Sequence, residues 1–212
     1  FRNWSLRWVI VSVRDLFPVI QQRRSVRRYS ADPVPHDLLQ TLLQAAVWAP
    51  SAHNRQPWRF AVVQGIGPKE ELAAAMGERL RADRLASGDP PETVAQDVER
   101  SRHALMHAPV LLLFCMSMAE MDRYPDARRE QAERTMAIQS VALASQNLLL
   151  TAHAAGLGAC WRCAPLFCPD TVRETLRLPA DWEPQALITL GYPARAGKLP
   201  ERRALTKVVR WL

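Results

Sequence analysis

The segment that most limits how this chain can fold is a long helical pattern over residues 128–155. Its second half, residues 137–154, is apolar on nearly every face and is interrupted only by isolated polar side chains such as Gln139 and His153. A helix of that character must be surrounded by protein, so the pattern predicts a central helix. Small residues at 142, 144 and 145 would also allow close approach of another helix, for example across a dimer interface.

Helical and strand patterns alternate along the rest of the chain. The continuous apolar run at 108–116 predicts a buried strand. Further strands are predicted at 59–64, 159–163 and 182–192, and helices at 15–22, 36–48, 68–86, 91–106 and 170–178. With 212 residues and no repeat or linker, we expect one domain over residues 15–212 after an N-terminal extension, residues 1–14.

The loop at residues 49–60, with the sequence APSAHNRQPWRF, lies between a helical and a strand pattern. Pro50 and Pro57 restrict its backbone, and the side chains between them are small or polar. Asn54 and Gln56 each offer both hydrogen-bond donors and acceptors. From composition alone, a surface turn with an amphipathic Trp58 is the simpler interpretation, and a loop that covers a flat ligand is the alternative.

A basic run, RRSVRR, occupies residues 23–28. Such runs are usually solvated, but a hydroxyl at Ser25 between guanidinium groups is a suitable combination for phosphate. The net charge of +7 is also compatible with an anionic partner, whether phosphate, nucleic acid or a membrane surface.

The chain has four cysteines, and Cys160, Cys163 and Cys168 form a C-x2-C-x4-C cluster. No second pair at zinc-finger spacing is present, so we predict no metal site. A redox role for C-x-x-C is less favoured than small, semi-buried, reduced thiols. No run of eighteen uncharged apolar residues and no signal-peptide cleavage pattern occur, so we expect a cytoplasmic protein without a membrane span.

The order and separation of RRSVR at 23–27, PVP at 33–35 and the loop at 49–60 resemble those of the FMN-dependent nitroreductase family. That family has an R-x-S-x-R/K phosphate motif near its start and a PS-x-x-N-x-QPW loop after its second helix. The segments GLGACW at 156–161 and ITLGYP at 188–193 also resemble family segments. The resemblance extends from Arg23 to the C-terminal tail.

The resemblance implies an α+β fold, a three-layer sandwich with a central, mostly antiparallel sheet flanked by helices. It also implies a homodimer with FMN at two interfacial sites, and a tail that reaches the sheet of the partner. Within the family, the chain is most similar to the nitroreductase-like domain of deazaflavin-coenzyme γ-glutamyl ligases. Their ligase activity lies in a separate domain and is not carried over.

Each implied cofactor contact falls on a motif residue. The phosphate would be held by Arg23, Arg24 and Ser25, with Arg202 or Arg203, while Arg27 would lie nearer the flavin ring. The ring would be covered by Pro50, Ser51, Ala52, Asn54 and Gln56 of the second subunit, and faced by the backbone of Cys160, Trp161, Arg162 and Cys163. Because the flavin carries the electrons, no catalytic side chain is assigned; His53 as a proton donor is the less favoured alternative.

Four functions remain open from the sequence. The first is an FMN-dependent oxidoreductase that uses NAD(P)H to reduce a nitro compound, a quinone or another conjugated acceptor. The second is reduction of a deazaflavin-coenzyme precursor or another specialised substrate. The third is a basic nucleic-acid-binding protein, which we do not expect because no recognition motif accompanies the charge. The fourth is a flavin-binding protein without turnover.

Overall fold

The fold is built on a four-stranded antiparallel sheet, seen in a computed structural model that describes residues 12–195 and 197–212. In chain order the strands are β1 (Trp58–Val63), β2 (Val110–Met116), β3 (Gly158–Arg162) and β4 (Glu183–Gly191). Their order across the sheet is β1-β2-β4-β3, and all three pairings are antiparallel. The predicted sheet is therefore confirmed, and the 159–163 segment is an edge strand.

Six α-helices surround this sheet in the described residues. They are α1 (Val13–Gln22), α2 (His36–Val47), α3 (Ile66–Ala86), α4 (Pro91–Met106), α5 (Ala127–Ala154) and α6 (Pro169–Thr175). Every predicted helix is present, with ends shifted by a few residues. Short 3-10 turns at Ala52–Asn54 and Ala164–Phe167 were not predicted. Of the predicted extension, residues 1–11 lie outside the described part of the chain.

Two hydrophobic cores lie on opposite faces of the sheet and make the three-layer sandwich. Alternate side chains of β2 point to opposite sides, as strand geometry requires. Phe114 packs with residues of α2 and α5, whereas Leu113 packs with residues of α3, α4 and α6. All seven residues of β2 are buried, which explains why its sequence is an unbroken apolar run rather than an alternating one.

Within a single chain, helix α5 is buried along one face rather than on all sides. Its buried residues include Ala137, Val141, Ala144 and Leu148, spaced by three or four positions. On the other side, Ile138 and Leu143 are 39% and 46% exposed. Only part of the apolar surface that predicted a fully surrounded helix is therefore buried within one chain.

No helix within residues 12–195 and 197–212 combines the length and the apolar composition needed to cross a bilayer.

Candidate active site

The basic run lies against the edge strand β3. Ser25 forms a parallel β-bridge with Ala159, and the amide of Val26 donates a hydrogen bond to the carbonyl of Ala159 over 3.0 Å. Val26 is buried against Gly158, where an added Cβ would lie 2.7 Å from the Val26 Cβ. This close approach requires glycine at position 158. The GLG sequence at 156–158 and the basic run therefore pack directly against each other.

The same run continues along the end of β4. Tyr29 bridges to Pro193, and the amide of Ala194 donates to the carbonyl of Arg28 over 3.0 Å. The Tyr29 hydroxyl lies 2.5 Å from the Val26 carbonyl oxygen and 2.9 Å from that of Thr189. Burial is the main reason why the pKa of Tyr29 is raised well above its ordinary value. The tyrosine therefore stays a neutral hydrogen-bonding group.

A cavity of about 420 Å³ opens where the basic run meets the chain that follows β4. It is lined by Ser25, Val26, Arg27, Arg28, Arg195, Gly197, Lys198 and Pro200. Four cationic side chains and one hydroxyl converge here, and this lining set contains no carboxylate. Such a donor set is suited to a phosphate group, since guanidinium and ammonium groups form charge-assisted hydrogen bonds with its oxygens.

Not all of the predicted phosphate ligands line this cavity. Ser25 does, and it is joined there by Arg27, which was predicted to lie nearer the flavin ring. The Arg24 guanidinium instead donates to the carbonyls of Gln21 and Arg23 at the end of α1, over 2.5 and 2.8 Å. Arg23 is half-buried at that helix end. For Arg23 and Arg24, contact with phosphate stays a prediction.

The tail arginines are also outside the cavity lining. Both Arg202 and Arg203 are exposed, and the Arg202 guanidinium donates to the carbonyl of Glu201 over 3.2 Å. Arg28, Arg195 and Lys198 line the cavity but were not predicted as site residues. The sequence did contain one indication for Arg195 and Lys198, because both residues come shortly after the ITLGYP segment.

The loop at 49–60 has an unusual backbone. His53, Asn54 and Gln56 all have positive φ, at 48°, 52° and 50°. Left-handed backbone is costly for residues with a Cβ, and such strain concentrates at functional sites. The hydroxyl of Ser51 accepts a hydrogen bond from the Gln56 amide over 3.0 Å, and the Gln56 side chain donates to Asn54 over 3.3 Å. These bonds hold the loop in a compact form.

Contacts outside the loop fix its position. The amide of Ala52 donates to the hydroxyl of Ser140 on α5 over 3.4 Å, and Arg55 forms an ion pair with Asp122. Trp58 is buried at the start of β1, so the simpler interpretation of an amphipathic surface tryptophan is wrong. Pro50 is exposed. In the described part of one chain, no hydrogen bond or shared cavity joins this loop to the basic run.

The cysteine cluster lies on β3 and just beyond it. Cys160 is buried, Trp161 and Arg162 are half-buried, and Cys163 is exposed. The Trp161 indole donates to the Cys163 sulfur over 2.9 Å. All four cysteines are free thiols.

A larger cavity of about 630 Å³ lies elsewhere, between residues 118–134 and residues 181–183. Its two arginines are already paired, Arg123 with Glu130 and Arg134 with Glu183, and the remaining charged group, Asp181, is a carboxylate. A paired set leaves little net charge for an anionic ligand. We therefore place the candidate site at the smaller, cationic cavity, where the predicted motifs meet.

Comparison with known protein families identifies this arrangement. The family model described as "Nitroreductase family" matches residues 20–192, which include the basic run, the loop and β3. The chain belongs to the nitroreductase family. As a member, it is an oxidoreductase, and the predicted nitroreductase-like fold is confirmed.

Similar proteins cover nearly the whole chain. A NADH dehydrogenase of Thermus thermophilus is 35% identical over 215 residues, which are 94% of this chain and 97% of the relative. A 5,6-dimethylbenzimidazole synthase of Rhodospirillum rubrum is 32% identical over 203 residues, 92% of this chain and 90% of the relative. A crystal structure of a protein assigned as a nitroreductase from Desulfovibrio desulfuricans, in complex with FMN, has a TM-score of 0.70 and 28% identity, with 92% and 94% of the two chains covered.

Proposed function

We propose that the protein is an FMN-dependent oxidoreductase that takes electrons from NAD(P)H and reduces a nitro compound, a quinone or another conjugated acceptor. The observation that carries this proposal is the cationic cavity beside β3, where Ser25, Arg27 and Lys198 converge. The similarity to a nitroreductase structure in complex with FMN and to a relative named as a NADH dehydrogenase supports it.

In this proposal, the cavity holds the FMN phosphate. Ser25 contributes a hydroxyl, and the side chains of Arg27, Arg28, Arg195 and Lys198 contribute the charge. The phosphate would be bound by several charge-assisted hydrogen bonds, each worth roughly 1.5–3 kcal/mol. FMN, when bound, would supply the two-electron chemistry, accepting electrons from the nicotinamide and passing them to the acceptor. The backbone of residues 160–163, which follows the basic run along β3, is the proposed flavin-ring contact.

We further propose a homodimer of this single domain, residues 15–212. In one chain the loop at 49–60 shares no cavity with the phosphate site, so a second copy would have to supply the cover over the flavin. Apolar side chains are available for such an interface: Phe17 on α1 is 55% exposed, Leu143 on α5 is 46% exposed, and Trp48 after α2 is 79% exposed. A contiguous apolar patch formed by such side chains is the usual mark of an interaction surface.

Within this proposal, the loop would exclude water from the flavin. Its polar groups at Ser51, Asn54 and Gln56 are held by mutual hydrogen bonds, so they present a preorganised edge rather than a flexible one. No described side chain at the site is assigned a proton-transfer step.

Reduction of a deazaflavin-coenzyme precursor remains the alternative within the family. It is motivated by the resemblance of four stretches to the deazaflavin-linked ligase domains: RRSVR, the 49–60 loop, residues 124–133 and residues 156–184. Both proposals require bound FMN, so only product analysis with each acceptor separates them.

The first experiment is to add FMN to the purified protein, remove the excess and record the visible spectrum. We expect about one flavin per chain, which NADH or NADPH bleaches under anaerobic conditions and which a nitro compound or a quinone reoxidises. A colourless protein whose affinity for nucleic acid falls steeply with salt would instead support the nucleic-acid hypothesis.

Variants sharpen this test. Arg27→Gln and Lys198→Gln should each weaken FMN binding by about tenfold or more, because each removes a charged phosphate contact. Arg100→Gln, on the exposed surface of α4, is the matched control and should leave FMN affinity unchanged. Equal effects of all three substitutions would argue against the cavity as the phosphate site.

A further inference from the structure

Three potential metal ligands from distant parts of the chain meet beside the loop. They are His53 in the 3-10 turn, Asp122 in the segment before α5, and Glu133 in the second turn of α5. One imidazole nitrogen and one oxygen from each carboxylate all lie within 4.8 Å of one another.

Glu133 makes this cluster different from an ordinary acidic surface. The residue is only 2% exposed, and its Oε2 atom is buried without a hydrogen-bond partner. It lies on the buried stripe of α5, one turn before Ala137, where the pattern calls for an apolar side chain. A buried carboxylate oxygen without a partner costs several kcal/mol, so this position calls for a compensating partner.

The neighbouring positive charges are already used. Arg55 pairs with the Oδ1 atom of Asp122, and Arg134, adjacent to Glu133 in sequence, pairs with Glu183. Among the described residues, no lysine or arginine forms an ion pair with Glu133. The guanidinium group of Arg55 therefore contacts Asp122 and leaves the carboxylate of Glu133 without a cationic partner in the described part of the chain.

We propose that His53, Asp122 and Glu133 form a site for a divalent transition-metal ion of the Zn²⁺ class. An imidazole nitrogen with two carboxylate oxygens is a common donor set for such ions, and it leaves a fourth position for water. Ligands about 2.0–2.2 Å from zinc lie roughly 3.3–3.6 Å from one another in a tetrahedral site. The three side chains must therefore draw together. Glu133 is fixed on a helix, whereas His53 is exposed on a turn and Asp122 lies in a loop, so these two can move.

The ion would connect three elements: the strained turn at 52–54, the segment before α5, and α5 itself. It would thereby fix the His53 end of the loop to the helix, in addition to the Ala52–Ser140 hydrogen bond. The site does not require a second copy of the chain, because all three ligands come from one chain.

The test is a Co²⁺ titration of the flavin-free protein, followed by its visible d–d absorption and then by displacement with Zn²⁺. We expect one ion per chain. His53→Ala and Glu133→Gln should each weaken binding by at least about tenfold, since even the loss of an outer-shell partner has that effect. Arg55→Ala should tighten binding, because it removes the cation that competes for Asp122. His36→Ala and Glu120→Gln, both on exposed residues, are the matched controls.

Three results would overturn the proposal. One is the absence of any Co²⁺ d–d absorption from the titrated protein. Another is binding that survives Glu133→Gln unchanged, which would indicate an adventitious surface site at His53. The third is a tightening by the control variants equal to that by Arg55→Ala. If Glu133→Gln does not fold, Glu133→Asp takes its place: it keeps the carboxylate but shortens the side chain, so it should weaken Co²⁺ binding, and unchanged binding would again indicate a surface site at His53.

Discussion

The side-chain hydroxyls of Tyr29 and Thr189 lie 2.7 Å apart, and this contact connects the basic run to a central strand of the sheet. Thr189 is only 1% exposed, whereas Arg27 and Arg28, just before Tyr29, are exposed to solvent. Tyr29 therefore anchors the exposed, charged segment that precedes it to the buried strand β4.

Replacement of this anchor by Tyr29→Phe should lower both stability and FMN affinity. Loss of the hydroxyl leaves Thr189 and the Val26 carbonyl without a partner, which should reduce the free energy of unfolding by about 1–3 kcal/mol in a urea titration. Tyr124→Phe is the control: no hydrogen bond of the Tyr124 hydroxyl is found in the described part of the chain, and it should change stability by less than about 0.5 kcal/mol. Equal losses in the two variants would refute the anchor role.

The close contact between Gly158 and Val26 gives a second prediction. In Gly158→Ala the new Cβ would lie 2.7 Å from the Val26 Cβ, so the basic run must move away from β3. We expect a loss of about 1–3 kcal/mol in unfolding free energy and weaker FMN binding, read by flavin fluorescence.

Gly67→Ala is the matched control, because a Cβ at that position in α3 would contact nothing within 4 Å. Gly67 lies in the first turn of α3 and directly precedes Pro68, which offsets the helix-forming advantage of alanine, so this variant should change stability by less than about 0.5 kcal/mol. If Gly158→Ala is as stable as the wild type and binds FMN equally well, β3 does not position the basic run.

The left-handed backbone at Gln56 predicts an inverted preference between glycine and alanine. At this position, φ is 50°, so Gln56→Gly should be more stable than Gln56→Ala by about 1 kcal/mol. Both variants lose the side-chain bond to Asn54, and the comparison isolates the backbone term. At exposed Gln40 in α2, the alanine variant should instead be more stable than the glycine variant by about 1 kcal/mol. The same order at both positions would mean that the loop is not strained.

The sequence predicted the secondary structure well because hydrophobic periodicity controls it directly. The apolar run of β2 and the stripe of α5 specify what each element must bury, independently of the other elements. Side-chain direction is different. Nothing in the sequence indicated that Arg24 turns toward the end of α1, since either a helix carbonyl or a phosphate can accept its hydrogen bonds.

The remaining site residues depend on how distant segments meet. Arg195 and Lys198 reach the basic run only because Tyr29 pairs with Pro193 at the end of β4. The meeting of His53, Asp122 and Glu133 depends on the turn after α2 packing on α5. A usable signal was nevertheless present, because Glu133 interrupts the apolar stripe of α5 one turn before Ala137.

The last prediction concerns stability at alkaline pH. Burial within β2 raises the pKa of the Cys115 thiol to about 12, well above that of a thiol in the unfolded chain. Below about pH 8.5, the thiol is protonated in both states, and pH has no effect through this group. Above that value the unfolded chain releases the proton while the folded chain retains it. The unfolded state then binds fewer protons, and the free energy of unfolding falls by up to about 1.4 kcal/mol per pH unit until the pH reaches the folded pKa.

The variant Cys115→Ala removes this titration. It also lowers the free energy of unfolding by an amount that does not depend on pH, because the buried sulfur is lost. The difference in unfolding free energy between wild type and variant, measured by urea titration at pH 7, 8.5, 9.5 and 10.5, should therefore shrink above about pH 9. Leu113→Val, also fully buried on β2, removes no titrating group, and its difference from wild type should stay constant over the same range. Burial also raises the pKa of Tyr29 and Cys168, which remain in both variants and affect each of them equally. A wild-type–Cys115→Ala difference that stays constant to pH 10.5 would mean that the thiol ionises as readily in the folded chain as in the unfolded one.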